Sequence, residues 1–300
     1  LAGASIGREG PSVQVGAAVM LAWGSWCKKP PLAFKGLQEN DLLAAGAAGG
    51  LAAAFNAPLA GVVFAIEELG RGVMLRWERQ IFIGVLAAGF IQVAVQGNNP
   101  YFSGFHGEAL PNMLVWVLLC ALVCGVAGGL FARFLYKGAV WAAPERWRSW
   151  MRRHPLLLAG IIGLLLAAIG TVYQGQTFGT GYHEASGALR RMYEAPPGVA
   201  LAKWAATVLS YWAGIPGGIF TPALSVGAMI GQQIAQFASL ETGANVLVLI
   251  CMAAFFGGRH PIAAHCQCDC DGDDRRAEFV VLALNWCYFC ISGVAPIFTQ

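Results

Sequence analysis

The chain has 300 residues, 57% hydrophobic and 12% charged, with a mean hydropathy of +0.59. A soluble domain carries about twice that charged fraction, so a soluble class is excluded and a polytopic, all-α membrane protein is expected. The net charge of +3 is small and dispersed, which argues against a nucleic-acid partner.

The opening LAGASIGREG lacks the basic start and apolar core of a cleavable signal peptide. It also lacks an initiating Met, and the chain reads as a fragment. Apolar segments predict helices at about 12–27, 42–55, 57–69, 80–96, 112–136, 156–173, 199–213, 219–238 and 244–257. A straight crossing of the hydrocarbon needs about 20 residues, and several of these segments are shorter or broken by Gly and Pro. Broken helices are tolerated where they line an enclosed cavity, which points to a transporter or channel. The 39 glycines agree, because small residues let helices approach closely. Cys27, Cys120, Cys124 and Cys251 lie singly or one turn apart in apolar segments and read as small core residues, not a disulfide framework. Basic stretches at 71–79 and 137–154 place those loops in the cytoplasm, and the sparsely charged loop 97–111 outside.

Two segments match each other. GREGPSVQVGA (Gly7 to Ala17) and GIFTPALSVGA (Gly218 to Ala228) both read G-x-x-x-P-x-x-x-V-G-A. Each begins in a glycine turn, places Pro in the first helical turn, and continues as an apolar helix. Pro suits that turn because its missing N–H would have no partner within the helix. A helix start carries partial positive charge and N–H groups directed at a ligand. Two such starts facing each other form an anion site with no fixed cation, and paired half-helices in two halves of a chain mark a transporter's binding site. The alternative is two ordinary helix starts that resemble each other by coincidence.

Glu9 sits at the start of the first half-helix. A charge within the bilayer costs roughly 2.5–3.5 kcal/mol on insertion scales, and a helix start offsets that cost while the carboxylate is ionised. Glu9 would then occupy the anion's own position, and on protonation swing away to admit a halide. The plainer alternative is a carboxylate that only caps its helix. Arg8 beside it is either a partner or only a donor of its backbone N–H. Glu67 and Glu68 end the run AAAFNAPLAGVVFAIEEL, which Asn56-Ala57-Pro58 breaks into two helices. Spacing alone favours a solvated helix end paired with Arg71, with a cytoplasmic proton site at Glu68 as the sharper reading.

GREGPSVQVG, GLAAAFNAPLAGVVFAIEEL and SYWAGIPGGIFTPALSVGAMIG closely resemble three signature regions of the CLC family of chloride channels and chloride/proton antiporters. The resemblance implies the CLC-type inverted-repeat fold of broken, tilted helices. It implies a homodimer with one pore per subunit, in a bacterial-type plasma (inner) membrane. It also implies a partial transmembrane domain over 1–258 that lacks the family's N-terminal helices. By the same resemblance Glu9 is the gating glutamate. Chloride is held by backbone N–H groups around Gly7, Arg8, Glu9, Gly10 and Pro11, and around Gly217, Gly218, Ile219, Phe220, Thr221 and Pro222. Glu68 is the internal proton glutamate, with Glu67 helping water reach it. An acid at position 68 favours antiport over a passive channel of the same fold. Chloride and protons are the transported species, no cofactor is implied, and no enzyme motif is present. The family's hydroxyl-bearing motif for anion preference has no counterpart here. The role of its late Tyr is not transferred to Tyr288, whose surroundings do not match.

After Gly258 the pattern changes. RHPIAAHCQCDCDGDD stands where the family continues as a V-T-x-x-P helix. Read one base later, codons for 259–274 can encode V-T-Q-S-P-L-I-V-S-V-I-V-M-E-M-T. A one-nucleotide frameshift near Gly258 is therefore expected, with 259–300 out of frame. The alternative to transport is a truncated, transport-inactive membrane polypeptide. The rival reading is a metal site of His265, Cys266, Cys268 and Cys270, but alternating C-x-C-x-C lacks the paired spacing of structural zinc, and no metal site is expected.

Overall fold

A computed structural model of the chain describes residues 3–26, 39–65, 78–97, 101–102, 113–142, 149, 151, 153–240 and 243–258. The helices among them are α1 (Glu9–Trp26), α2 (Glu39–Phe55), α3 (Pro58–Phe64), α4 (Glu78–Gln96), α5 (Met113–Ala142), α6 (Pro155–Val172), α7 (Tyr182–Leu189), α8 (Val199–Trp212), α9 (Phe220–Phe237) and α10 (Ala244–Gly258). Each of the nine expected segments contains a helix among the described residues, with ends that differ from the expected ones. The tail from Arg259, with its cysteine cluster, lies outside the described residues, as do Cys27 and the acids Glu67 and Glu68.

Two differences from the sequence reading have local causes. The short helix α7 was not expected, because YHEASGAL is too brief and polar to register as an apolar span. Helix α5 runs to Ala142, past the expected end at 136. The Lys137 charge that ended the apolar run does not end a helix, since Lys is a good helix former.

The chain divides into two compact units, Leu1–Gly7 with Gly104–Gln300, and Arg8–Ser103. In the second of these, α1 crosses α2 through glycines. A Cβ on Gly46 would lie 2.6 Å from the Met20 Cβ, and one on Gly50 would lie 2.5 Å from the Ser12 carbonyl. Ala44, Ala45, Ala48 and Ala52 of α2 pack on Ile81 and Val85 of α4. The break between α2 and α3 falls where it was expected. Asn56 takes a left-handed φ of 48°, a region in which Asn is enriched, and Pro58 opens α3.

In the other unit, α9 and α10 also cross through small residues. A Cβ on Gly227 would lie 2.8 Å from the Cys251 carbonyl, and one on Gly231 would lie 2.7 Å from the Val248 Cα. Cys120, Cys124, Phe131, Phe255 and Cys251 form the core between α5 and this pair, and the three cysteines are free thiols. The opposite face of α5 is apolar as well: Leu114, Leu118, Leu122, Val126 and Leu130, spaced four apart, are exposed. Only 22% of the Leu114–Leu135 window and 17% of Pro155–Val172 is buried. Both helices are long and apolar enough to cross a membrane, and an exposed aliphatic face of this kind suits lipid or a protein partner.

Candidate functional site

The site begins with the lead into α1. Gly3 takes φ +75°, and a Cβ there would lie 2.9 Å from the Phe178 ring. The Ala4 carbonyl accepts the Gly179 N–H at 3.1 Å. Ser5 is fully buried, and its N–H donates to Ser210 Oγ at 2.9 Å. Thr207 Oγ1 spends its proton on the Lys203 carbonyl, so Ser5 Oγ donates to Thr207 Oγ1 across 2.9 Å. Two residues on, Gly7 and Gly218 form an antiparallel bridge, with Gly7 N–H to Gly218 O at 2.6 Å and Gly218 N–H to Gly7 O at 2.8 Å. Beside it Gly217 has no room for a side chain, since a Cβ would lie 2.8 Å from Ile6 Cβ.

The two helices that follow start alike. Ser12 N–H closes the first turn of α1 on the Arg8 carbonyl, and Ala223 N–H closes that of α9 on the Ile219 carbonyl, each at 3.1 Å. Pro11 and Pro222 bear no N–H. Neither Arg8 nor Ile219 is a Ser, Thr, Asp or Asn, the residues that cap a helix with their own oxygen, and Ile219 makes no side-chain cap. Helix starts built this way can hold an anion.

Glu9 occupies the first helical position of α1 and is 1% exposed. Thr221 on α9 is fully buried, and the Phe220 ring lies 5.3 Å from that of Phe256. The Arg8 guanidinium stands 5.8 Å over the Tyr101 ring, a cation–π contact. The structure therefore joins Gly7 to Gly218 and places Gly217 at their side. It puts Glu9, Gly10 and Pro11 in one first turn, and Phe220, Thr221 and Pro222 in another. Glu67 and Glu68 lie outside the described residues.

Sequence reasoning missed Lys203, Ser5, Thr207 and Ser210, all buried around the lead. The signal for Lys203 was present, as a single charge inside the apolar run VALAKWAATVLSYW. For the three hydroxyl residues there was none, because Ser and Thr are ordinary in membrane helices.

A profile described as "Voltage gated chloride channel" matches residues 1–265. An H(+)/Cl(-) exchange transporter ClcA of Vibrio parahaemolyticus is 31% identical over 277 residues, which is 87% of this chain and 57% of that protein. Its counterpart in Vibrio cholerae is 33% identical over 251 residues, covering 79% and 50%. A CLC-type fluoride/proton antiporter superposes with a TM-score of 0.65 at 27% identity, covering 85% of this chain and 62% of the other. A slow cyanobacterial Cl−/H+ antiporter gives 0.64 at 27%. The chain thus spans 57% and 50% of the length of these two curated relatives. The glycine bridge, the twin helix starts and the match across 1–265 converge on one identity: the chain is an integral membrane protein of the voltage-gated chloride channel family.

Proposed function

We propose that the chain carries the anion pathway of a chloride/proton exchanger. The observation that supports this most directly is a fully buried carboxylate, Glu9, in the first turn of a helix that starts two residues after the Gly7–Gly218 bridge. In this reading the backbone N–H groups around Arg8–Gly10 and Ile219–Thr221 hold chloride by dipoles alone. The ionised Glu9 side chain competes for the same position. Protonation removes its attraction to the helix start, the side chain withdraws, and chloride enters. One group is then both gate and proton carrier, so the two flows are linked.

Protons reach Glu9 from the cytoplasmic side through Glu68, with Glu67 helping to draw water to it. The names of the relatives as H(+)/Cl(-) exchange transporters support exchange over a passive channel. The working form is a homodimer in a bacterial-type inner membrane, each subunit with its own pore and without a cofactor. Reconstitution in lipid vesicles tests the reading. A chloride gradient should drive protons uphill. Chloride flux without proton movement favours a passive channel, and absence of both favours a transport-inactive polypeptide.

A further inference from the structure

Lys203 stands inside the apolar helix α8 with no exposed surface, and the transport reading does not use it. An ionisable residue at such a place is expensive and points to function. Its Nζ donates to the carbonyls of Thr177 at 2.9 Å, Phe178 at 3.1 Å and Gly179 at 2.9 Å. An ammonium has three donors, so the set is complete. All three acceptors are consecutive residues of the turn between α6 and α7. Carbonyl dipoles aimed at one point repel each other, and a cation at that point gathers them.

The gathered turn grips the lead into α1 on one side. Gly179 N–H binds the Ala4 carbonyl, and the Phe178 ring fills the space beside Gly3. The helix that carries Lys203 grips the other side, through Thr207 and Ser210 on Ser5. Lys203, the turn and the lead Gly3–Gly7 belong to one compact unit. Arg8 alone separates that lead from Glu9.

We propose that Lys203 is a positioning residue for Glu9: its ammonium draws the 177–179 carbonyls into a platform that fixes the lead, and so fixes the point from which α1 and its carboxylate start. This rests on the reading of Glu9 as the anion's competitor. Lys203 touches no transported ion and acts only through backbone.

Amide exchange in the full chain in detergent micelles tests it. The readouts are Ser5, Gly7, Gly179 and Gly218, with Val248–Met252 of α10 as internal reference. Lys203→Met should lower protection at the four amides by about tenfold, with α10 held within about threefold. Lys203→Arg, which restores charge and donors, should keep all of them near wild type. Lys203→Gln retains two donors, so it gives an intermediate loss and serves if the Met variant does not fold. Loss at Gly179 alone, or equal loss in α10, overturns the proposal.

The link to Glu9 has its own readout, the rise in melting temperature when sodium chloride replaces sodium gluconate. Glu9→Gln should enlarge that rise when Lys203 is present and change it little in the K203M background. Equal increments in both backgrounds overturn the link. A wild-type chain that ignores chloride overturns the anion-site reading instead, and the exchange data then decide on their own whether Lys203 fixes the lead.

Discussion

Gly7 and Gly218 donate to each other's carbonyl, at 2.6 and 2.8 Å, and are the equivalent first residues of the two matching segments. Such mutual donation is the pattern of a hydrogen-bonded antiparallel pair. The bridge joins equivalent positions of the two matching segments. Gly16 and Gly227, a second equivalent pair, each serve a helix crossing within their own unit, Gly16 against Gly46 and Gly227 against Cys251.

The bridge depends on the absence of a side chain at Gly217. Gly217→Val drives methyl groups into Ile6, whose Cβ is 2.8 Å from where a Cβ would stand. Overpacking of this kind costs about 1–3 kcal/mol. Thermal unfolding in detergent should show a lower melting temperature, and the Gly7 amide should exchange faster. An unchanged Gly7 amide would show that the bridge tolerates a displaced Ile6.

Glu9→Gln keeps the size of the side chain and removes its charge. If Glu9 is the anion's competitor, as proposed, chloride flux in wild-type vesicles should rise as pH falls. The variant should hold the raised flux at every pH and move no protons. A flux that still rises on acidification in the variant would mean that another group is the gate.

The two ends of the proposed proton path separate cleanly. Glu68→Ala should leave chloride flux and its acid activation in place while abolishing uphill proton movement. Glu67→Ala should reduce the proton rate and leave the coupling ratio intact. Paired recordings of vesicle pH and chloride release measure both, and proton pumping that survives Glu68→Ala removes that residue from the path.

Much of this was legible in the residues. Hydropathy located most of the helices, and two of them, Leu114–Leu135 and Pro155–Val172, are long and apolar enough to cross a membrane. The repeat and Glu9 were visible because glycine turns, Pro in a first turn and a carboxylate at a helix start are local features. The pairing of Gly7 with Gly218 was not, as it is tertiary. The role of Lys203 was hidden for a different reason. Its three acceptors are main-chain carbonyls 24 to 26 residues upstream, and a carbonyl carries no residue identity for a sequence to display. Helix α7 escaped because its eight residues include Tyr182, His183 and Glu184.

The helix crossings give a prediction independent of transport. Gly231 meets the Val248 Cα at 2.7 Å from its own Cβ position, a backbone approach that tolerates no branch. Gly231→Leu must separate α9 from α10 and open the core around Cys251 and Leu247, both fully buried. Reaction of Cys251 with a small maleimide, negligible in wild type, should then be detectable. Gly163 offers a control, since nothing lies within 4 Å of a Cβ there, and Gly163→Leu should leave Cys251 protected.

The reading frame after Gly258 gives the last prediction. The family profile's match ends at 265, within the stretch RHPIAAHCQCDCDGDD. An alternating Cys/Asp run cannot replace a buried apolar helix, because each carboxylate would enter the interior without a partner. Read one base later, codons for 259–274 can encode V-T-Q-S-P-L-I-V-S-V-I-V-M-E-M-T. That peptide is apolar and suits a membrane helix. Sequencing the coding DNA decides the matter, since any codon in that stretch that yields a different residue in the next frame removes the frameshift. If the peptide is encoded, restoring the frame should increase chloride uptake by vesicles. If it is not, His265, Cys266, Cys268 and Cys270 return as candidate ligands, and zinc titration of the purified chain becomes the informative measurement.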